Sequence, residues 1–326
     1  MKDQWNRKID YIRISVTDRC NLRCIYCMPE EGVPSIPHEE ILTYDEIVRL
    51  CRCFLKFGIN KVKITGGEPL VRKDIPVLIG QLKALDGMET VTLTTNGLLL
   101  EKYLPELMAS GLDGVNISLD TLNPLKYERI TRKDALTDVL SAIEKALDYQ
   151  NLKVKINCVP FADTDKEDII RIAGLARDSR LGVRFIEMMP IGLGKNFSYY
   201  REENIIAILK EAYGHLEPVD TVFGNGPAHY YSVSGFEGKI GFISARSHKF
   251  CNECNRVRLT SQGYLKTCLQ YDHGTDLKTL LRTNEEDSVL EQMIKQTIYE
   301  KPVSHNFTGD NPQGIYETDG MSKIGG

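Results

Sequence analysis

The chain has 326 residues, of which 42% are hydrophobic and 26% charged, the composition of a soluble globular protein. No apolar run approaches the roughly 18 residues of a membrane span, and the start, MKDQWN, has no apolar stretch typical of a secretory signal. The formal charge of −4 argues against a strongly basic nucleic-acid-binding protein but not against binding of a small anion. We therefore expect a cytosolic protein with no nucleic-acid or membrane partner.

Short apolar strands alternate with amphipathic helices from residue 11 to about residue 215. Thr43 and Glu46 form a capping box at the start of the first helix, and Gly58 ends it. Six βα repeats predict a parallel sheet with helical crossovers, and both a doubly wound sheet and an open barrel fit this pattern. Strands are predicted at residues 11–16, 61–65, 90–95, 114–119, 153–159 and 183–189. Helices are predicted at residues 43–57, 75–85, 103–110, 137–149, 166–177 and 201–213.

The pattern changes near residue 220. A turn-rich break at residues 223–227 precedes two alternating segments, 229–233 and 239–245, which predict a β-hairpin. One further helix is predicted near residues 277–298. The last 25 residues are polar and rich in Gly and Asp, which predicts an extended tail.

Nine cysteines in a chain expected in the cytosol favour metal binding over disulfides. Cys51, Cys53 and Cys158 lie in predicted helix or strand and are interpreted as small buried side chains. The other six form two groups of three.

The first group directly follows the first predicted strand, at the sheet edge where the loops of parallel α/β folds build active sites. Three thiolates within eight residues can ligate three corners of a 4Fe–4S cluster and leave the fourth iron without a protein ligand. A structural zinc site is the alternative, but it needs a fourth ligand, and the nearest histidine, His38, lies eleven residues away. The group consists of Cys20, Cys24 and Cys27.

The second group has the spacing C-x2-C-x13-C. A zinc site is better supported here than at the first group, because His248 and His273 lie close to these cysteines in the sequence. Arg256 and Arg258 favour a different interpretation, since two residues apart they point to one face of an extended segment and suit an anionic or carbonyl-bearing substrate. The group consists of Cys251, Cys254 and Cys268.

The first group, C-x3-C-x2-C with Tyr26 before its last cysteine, resembles the signature of the radical S-adenosylmethionine superfamily. Further motifs of that superfamily follow in order at strand ends: Gly66-Gly-Glu-Pro69, Ser118-Leu-Asp120 and Met189. The resemblance implies that the open iron binds S-adenosylmethionine, and that one electron from the cluster cleaves the sulfonium and releases a 5′-deoxyadenosyl radical. The implied cofactor-binding residues are Tyr26, Gly67, Ser118 and Met189.

Both cysteine spacings and the Arg-x-Arg pair resemble those of the GTP 3′,8-cyclase family of molybdenum cofactor biosynthesis, over essentially the whole chain. The resemblance implies an incomplete, six-unit TIM-type barrel at residues 1–225, closed by an iron–sulfur module at residues 226–326. It implies two 4Fe–4S clusters, S-adenosylmethionine and a lyase reaction. The adenosyl radical takes the ribose 3′ hydrogen of GTP, and the carbon radical attacks carbon 8 to give (8S)-3′,8-cyclo-7,8-dihydroguanosine 5′-triphosphate.

The same resemblance implies an external electron donor, transfer of the product to cyclic pyranopterin monophosphate synthase, and a monomer or homodimer. In that family the open iron of the second cluster faces the guanine, and a terminal double glycine threads back to arrange the active site. Some members of that family have Arg at the position of Lys63. A lysine lacks the bidentate fork of N–H donors that a guanidinium offers to a phosphate. The implied GTP-binding residues are Arg13, Lys63, Thr94, Lys155, Arg256 and Arg258, with Lys61 and Arg184 as further triphosphate candidates and Gly325 and Gly326 as catalytic residues.

Three other functions stay open at this point. A radical enzyme with an auxiliary cluster acting on a peptide is the nearest alternative, although such enzymes often have more C-terminal cysteines. A non-catalytic iron–sulfur sensor or electron carrier has no need of the Gly-Gly-Glu-Pro element. A zinc-bound nucleotide-binding module would be distinguished by its content of iron and acid-labile sulfide.

Overall fold

The computed structural model describes residues 1–34, 36–162, 164–220, 223–283, 285–307, 317 and 319–324. Within these ranges no helix is both long enough and apolar enough to cross a membrane. All six predicted strands are present, and the last ends three residues earlier than expected. They are β1 (Tyr11–Ser15), β2 (Lys61–Thr65), β3 (Thr90–Thr95), β4 (Gly114–Ser118), β5 (Lys153–Cys158) and β6 (Gly182–Ile186).

The predicted helices between these strands are also present, together with one that was not predicted. The capping box is confirmed, because the Glu46 N–H donates to Thr43 Oγ1 (3.2 Å) and the Thr43 N–H donates to Glu46 Oε2 (2.7 Å). The additional helix, Pro124–Thr131, begins after Asn123, whose side chain accepts from the Lys126 N–H at 3.2 Å. The helices are α1 (Tyr44–Lys56), α2 (Ile75–Lys83), α3 (Leu100–Ala109), α4 (Pro124–Thr131), α5 (Leu136–Asp148), α6 (Lys166–Gly174) and α7 (Glu202–Tyr213).

The strands of the second half extend the same sheet at both edges. The predicted hairpin is confirmed as β8 and β9, and β9 pairs parallel with β6. At the opposite edge, β10 pairs parallel with β1. These strands are β7 (Leu216–Val219), β8 (His229–Val233), β9 (Lys239–Ile243), β10 (Arg256–Leu259), β11 (Tyr264–Lys266) and β12 (Gly274–Asp276).

The described strands lie in the order β12-β11-β10-β1-β2-β3-β4-β5-β6-β9-β8-β7. The predicted α/β fold with a parallel sheet is therefore confirmed. From β1 to β6 the order is consecutive, whereas a doubly wound sheet reverses its direction at a switch point. The doubly wound alternative is therefore wrong.

Two expectations for the C-terminal region are also wrong. The single helix near residues 277–298 is divided into α8 (Leu277–Arg282) and α9 (Asp287–Tyr299). The Thr283 hydroxyl contributes to the break, because it bonds to the carbonyls of the last turn of α8. Within the tail, which was expected to be extended, residues 321–324 form the short helix α10 (Met321–Ile324), where Lys323 pairs with Asp319 at 3.0 Å.

The sheet has an apolar face and a polar face, because side chains alternate along each strand. Ile12, Ile64 and Val115 belong to the hydrophobic core that the sheet forms with its helices. Arg13 and Lys63 lie between such positions and therefore point to the other face. The polar face carries the candidate site.

Candidate active site

A row of cations crosses the polar face of the sheet. In the strand register, Arg13 on β1 pairs with Arg258 on β10 at one side and with Lys63 on β2 at the other. Lys155 on β5 and Arg184 on β6 continue the same face. Lys63, Arg184 and Arg258 are each no more than 8% exposed.

These cations lower one another's pKa. Burial is the main cause at Lys63, whose pKa lies well below its usual range, and the charges of Arg184, Arg13 and Lys155 add to it. The pKa of Arg258 also lies well below its usual range; burial is the main cause, and the charge of Arg13 is the next largest. In the described part of the chain, no carboxylate offsets this repulsion at Lys63 or Lys155. Buried like charges are costly without an anion, so the face suits a polyanionic ligand.

Two lysines of the predicted set have protein partners. Lys61 forms an ion pair with Asp10, with 2.8 Å between Nζ and Oδ2, so its charge is already neutralised. Lys155 donates a hydrogen bond to the carbonyl of Phe223 in the turn that follows residue 222. A carbonyl does not neutralise the lysine, and burial with the charges of Arg184 and Lys153 lowers the pKa of Lys155 to about 7.

The low pKa of Lys155 predicts a pH-dependent stability. The unfolded chain keeps this proton to a pKa of about 10.4, whereas the folded chain releases it near 7. Between these values the unfolded state binds more protons, so the free energy of unfolding should rise with pH. Denaturant unfolding from pH 7 to 9, in buffers without polyanions, should show this rise, and Lys155→Met should flatten it. Parallel pH profiles for wild type and variant would contradict the prediction.

A cavity of about 260 Å³ opens on the polar face at the carboxyl ends of the parallel strands. Most of the residues singled out from the sequence meet here, but Lys63 and Lys155 do not line it. The lining includes all three cysteines of the first group. From the predicted nucleotide and cofactor contacts it includes Arg13, Tyr26, Gly67, Thr94, Ser118, Met189, Arg256 and Arg258.

The three thiols of the first group lie on the loop after β1. Burial raises the pKa of each, to about 12 at Cys27. At Cys24 the neighbouring thiolates and Asp120 raise it further. Such thiols need a metal centre to stabilise their thiolates, and three of them facing one cavity suit three corners of an iron–sulfur cluster. The donor set therefore fits the cluster.

Gly66 and Gly67 allow β2 to approach the loop that leads to these cysteines. A Cβ on Gly67 would lie 2.4 Å from the carbonyl oxygen of Arg19, and a Cβ on Gly66 would lie 2.6 Å from that of Thr17. The N–H of Gly67 donates to the carbonyl oxygen of Thr17, and the N–H of Glu68 donates to the carbonyl oxygen of Arg19, both at 2.7 Å. The glycines are therefore required for packing, and the contact of Gly67 with S-adenosylmethionine stays a prediction.

Sequence reasoning missed a polar network that ends on Cys20. The buried Glu68 carboxylate accepts hydrogen bonds from the Asn96 N–H (2.7 Å) and the Thr95 hydroxyl (2.8 Å). Asn96 Nδ2 in turn lies 3.8 Å from Cys20 Sγ. Asn96 belongs to the Thr-Thr-Asn-Gly segment after β3, from which the sequence analysis singled out only Thr94.

Asp120 was missed in the same way. Its carboxylate accepts hydrogen bonds from the Tyr26 hydroxyl and from the Val159 N–H, both at 2.8 Å. These contacts join the cysteine loop to the ends of β4 and β5. The Ser-Leu-Asp motif contained this signal, but only Ser118 was assigned a role.

A smaller cavity holds the second cysteine group. Although burial opposes it, the charges of Lys301 and Arg256 lower the pKa of Cys254 to about 6, which favours a thiolate ligand. His248 instead contacts Glu202, and His273 is exposed, so neither lines this cavity. No three His, Cys, Asp or Glu side chains of the described ranges are arranged to hold a single metal ion. The lining includes Cys251, Cys254, Cys268, Arg7, Arg256, Arg258, Lys301 and His305.

His305 was not predicted, because it lies far along the chain from the cysteines that it meets. Its backbone N–H donates to Cys251 Sγ at 3.5 Å, and its ring stacks on Phe307 at 4.2 Å between centroids. Burial, with the charges of Lys249 and Arg256, lowers the pKa of His305 to about 4. The imidazole is therefore neutral at pH 7.

The two cavities share part of their walls. Met189, Leu269, Arg256 and Arg258 line both of them. The two cysteine groups consequently face one connected region, and the arginine pair lies between them.

The C-terminal tail reaches the first cysteine group. Met321 lines the larger cavity, and the backbone of Ser322 acts to lower the pKa of Cys27 against the larger effect of burial. Ile324 packs in a small buried cluster with Ile191. Gly325 and Gly326, which were predicted to arrange the active site, lie outside the described residues.

Family models match both halves of the chain. The radical S-adenosylmethionine superfamily model matches residues 14–176, and the Molybdenum Cofactor Synthesis C model matches residues 181–307. A curated GTP 3′,8-cyclase of Clostridium perfringens strain 13 is 46% identical over 307 residues, which cover 94% of this chain and 95% of that protein. Another, of Heliobacterium modesticaldum, is 43% identical over 333 residues that cover both chains completely.

Solved structures with a similar fold include Streptococcus suis SuiB bound to its precursor peptide SuiA, with a TM-score of 0.61 and 16% identity. The match covers 91% of this chain and 66% of SuiB, and at this identity it shows the fold alone. SuiB bound to S-adenosylmethionine matches with a TM-score of 0.59, 17% identity, and coverage of 86% and 66%. The curated relatives and the two family models place the chain in the GTP 3′,8-cyclase family of the radical S-adenosylmethionine superfamily.

Proposed function

We propose that this chain is a lyase of molybdenum cofactor biosynthesis that converts GTP to (8S)-3′,8-cyclo-7,8-dihydroguanosine 5′-triphosphate, using S-adenosylmethionine and two 4Fe–4S clusters. The observation that carries the proposal is the row of Arg258, Arg13 and Lys63, in register across three strands beside both cysteine groups. Burial and the charges of Arg184, Arg13 and Lys155 hold the pKa of Lys63 well below its usual range, and a triphosphate would relieve this repulsion. A peptide would need several acidic side chains at matching positions to supply the same negative charge, so the row favours the nucleotide.

The nucleotide contacts follow from this row. Arg13 and Lys63 would neutralise the phosphates, with Lys155 on the same polar face. Arg256 and Arg258 lie between the two cysteine groups and would orient the part of the nucleotide nearest the second group. Thr94 Oγ1 accepts from Asn116 at 3.5 Å on the cavity floor, which leaves its hydroxyl proton for the substrate.

The first group would hold one cluster, with S-adenosylmethionine on its open iron. When bound, this pair supplies a one-electron cleavage that generates the hydrogen-abstracting radical. Tyr26, Gly67, Ser118 and Met189 line the cavity where they would hold the cofactor. Asp120 accepts a hydrogen bond from the Tyr26 hydroxyl, which holds the cysteine loop in position relative to the strand ends. The ligands of this cluster are Cys20, Cys24 and Cys27.

The second group would hold the other cluster in the smaller cavity. Lys301 and Arg256 stabilise the thiolate of Cys254, and Arg7 donates hydrogen bonds to the carbonyls of Cys251 and Val303 at 2.8 Å. These contacts hold the loop in place independently of the substrate. The ligands of this cluster are Cys251, Cys254 and Cys268.

We also propose the finer architecture that the family implies. Residues 1–225 form an incomplete six-unit barrel, and residues 226–326 close it with the second cluster; the consecutive order of β1 to β6 supports this division. None of the nine cysteines, which all lie among the described residues, forms a disulfide, and this supports a cytosolic location. An external reductant and transfer of the product to cyclic pyranopterin monophosphate synthase complete the proposal.

Substitution of single cations tests the assignment of the polar face. Truncating a buried charged contact typically costs ~2–5 kcal/mol, so Arg258→Ala and Lys63→Ala should each weaken GTP binding at least tenfold while the iron content stays that of wild type. Lys61→Ala is the matched control on the same strand, because its charge is paired with Asp10. Isothermal titration of the anaerobic, reconstituted protein measures the affinities. Wild-type affinity in Arg258→Ala and Lys63→Ala would refute this role.

A further inference from the structure

His305 combines burial with unpaired polar atoms. It is 6% exposed, and neither Nδ1 nor Nε2 has a hydrogen-bond partner among the described residues. A neutral imidazole has one N–H donor and one acceptor nitrogen. Leaving both unpaired in the interior is costly, and buried polar groups of native proteins nearly always have partners. A hydrogen-bonding group of a ligand in this cavity would supply a partner to one of these nitrogens.

The ring is held in position by aromatic neighbours. Phe307 stacks on it at 4.2 Å with an interplanar angle of 28°, and Phe250 approaches edge-on at 6.5 Å and 71°. The backbone N–H of His305 bonds to Cys251 Sγ, so the residue is also fixed relative to the second cysteine group. The polar edge of the imidazole is therefore oriented before any ligand binds.

The position of this edge indicates the part of the ligand that it meets. His305 lines the smaller cavity with Arg256 and Arg258, and both arginines also line the larger cavity. Arg13 and Lys63 lie further along the sheet from β10. A nucleotide with its phosphates on those cations would have its base towards the second cysteine group.

We infer that His305 is a base-recognition residue, one ring nitrogen of which forms a hydrogen bond with the purine of a nucleotide held beside the second cysteine group. The inference rests on the proposed function and adds to it the side chain that distinguishes a nucleotide from a simple polyphosphate. Inorganic triphosphate, which has no base, does not reach this residue.

The test compares two ligands on the reconstituted, anaerobic holoprotein without S-adenosylmethionine. His305→Phe keeps an aromatic ring on Phe307 but removes both ring nitrogens, and should weaken GTP binding by roughly tenfold or more. Its affinity for inorganic tripolyphosphate should stay within about twofold of wild type, since the cations that bind phosphate are unchanged. His305→Gln keeps a donor and an acceptor and should recover part of the loss. His215→Phe, the same substitution at an exposed histidine, is the matched control and should bind both ligands normally.

Iron and acid-labile sulfide are measured in each variant. His305→Leu, which is smaller, provides the same comparison if the phenyl ring disturbs cluster assembly. Wild-type GTP affinity in the variant with intact clusters would overturn the inference, and so would equal losses for GTP and tripolyphosphate. Failure of the wild-type protein to bind GTP would overturn the proposed function itself, which separates the two results.

Discussion

Replacing Cys24 by Ala should abolish reductive cleavage of S-adenosylmethionine, whereas replacing Cys268 by Ala should leave uncoupled cleavage and stop cyclisation. The reason is that the thiols line two different cavities. Cys24 lines the larger cavity together with Tyr26 and Gly67, whereas Cys268 lines the smaller cavity together with His305. Loss of a ligand from the first cluster removes the electron source for the cofactor, while loss from the second removes the site nearest the base.

The measurement is 5′-deoxyadenosine and cyclised nucleotide from the same reaction, with iron counted in each protein. Cys51→Ala is the control, because Cys51 is buried in α1 away from both groups and should behave as wild type. Each ligand variant should lose iron from one cluster only. Normal cyclisation of GTP by Cys268→Ala would show that the second cluster has no substrate role.

Deletion of Gly325 and Gly326 should lower formation of the cyclised nucleotide by orders of magnitude and leave both clusters in place. Although the two glycines lie outside the described residues, the helix before them carries Met321 into the larger cavity and Ser322 to the Cys27 thiol. The chain therefore lies beside the first cysteine group just before residue 325. Glycine suits a crowded cavity because it has no side chain, and placement errors near 1 Å can cost ~100-fold in rate.

This deletion should spare S-adenosylmethionine cleavage and most GTP binding, because Met321–Ile324 keeps its own packing against Ile191. Replacing both glycines by alanine keeps the length and tests whether the absence of side chains matters. Both proteins are assayed for 5′-deoxyadenosine and product together. Full cyclase activity in the truncated protein would show that the last two residues have no role in the reaction.

The sequence was most informative where one residue pattern has one physical consequence. The Arg-x-Arg spacing placed Arg256 and Arg258 together on one face of an extended segment, and both line the larger cavity. The short spacing of the first cysteine group forces its thiols into one loop. In these cases neighbours in sequence are also neighbours in space.

Contacts between distant segments could not be predicted in this way. Glu68 reaches Asn96, and His305 reaches Cys251, only because the sheet brings separate loops together. The pairing of Lys61 with Asp10 also depends on the register of β2 beside β1. Periodicity indicates which face a side chain occupies, but not which partner it meets there.

The most direct test of the account is anaerobic incubation of the reconstituted protein with S-adenosylmethionine, a strong reductant and each nucleoside triphosphate in turn. The account predicts 5′-deoxyadenosine together with a new 3′,8-cyclised nucleotide when GTP is present, and no cyclised product from ATP, CTP or UTP. Cleavage of S-adenosylmethionine without any nucleotide product from GTP, in protein with both clusters intact, would contradict it.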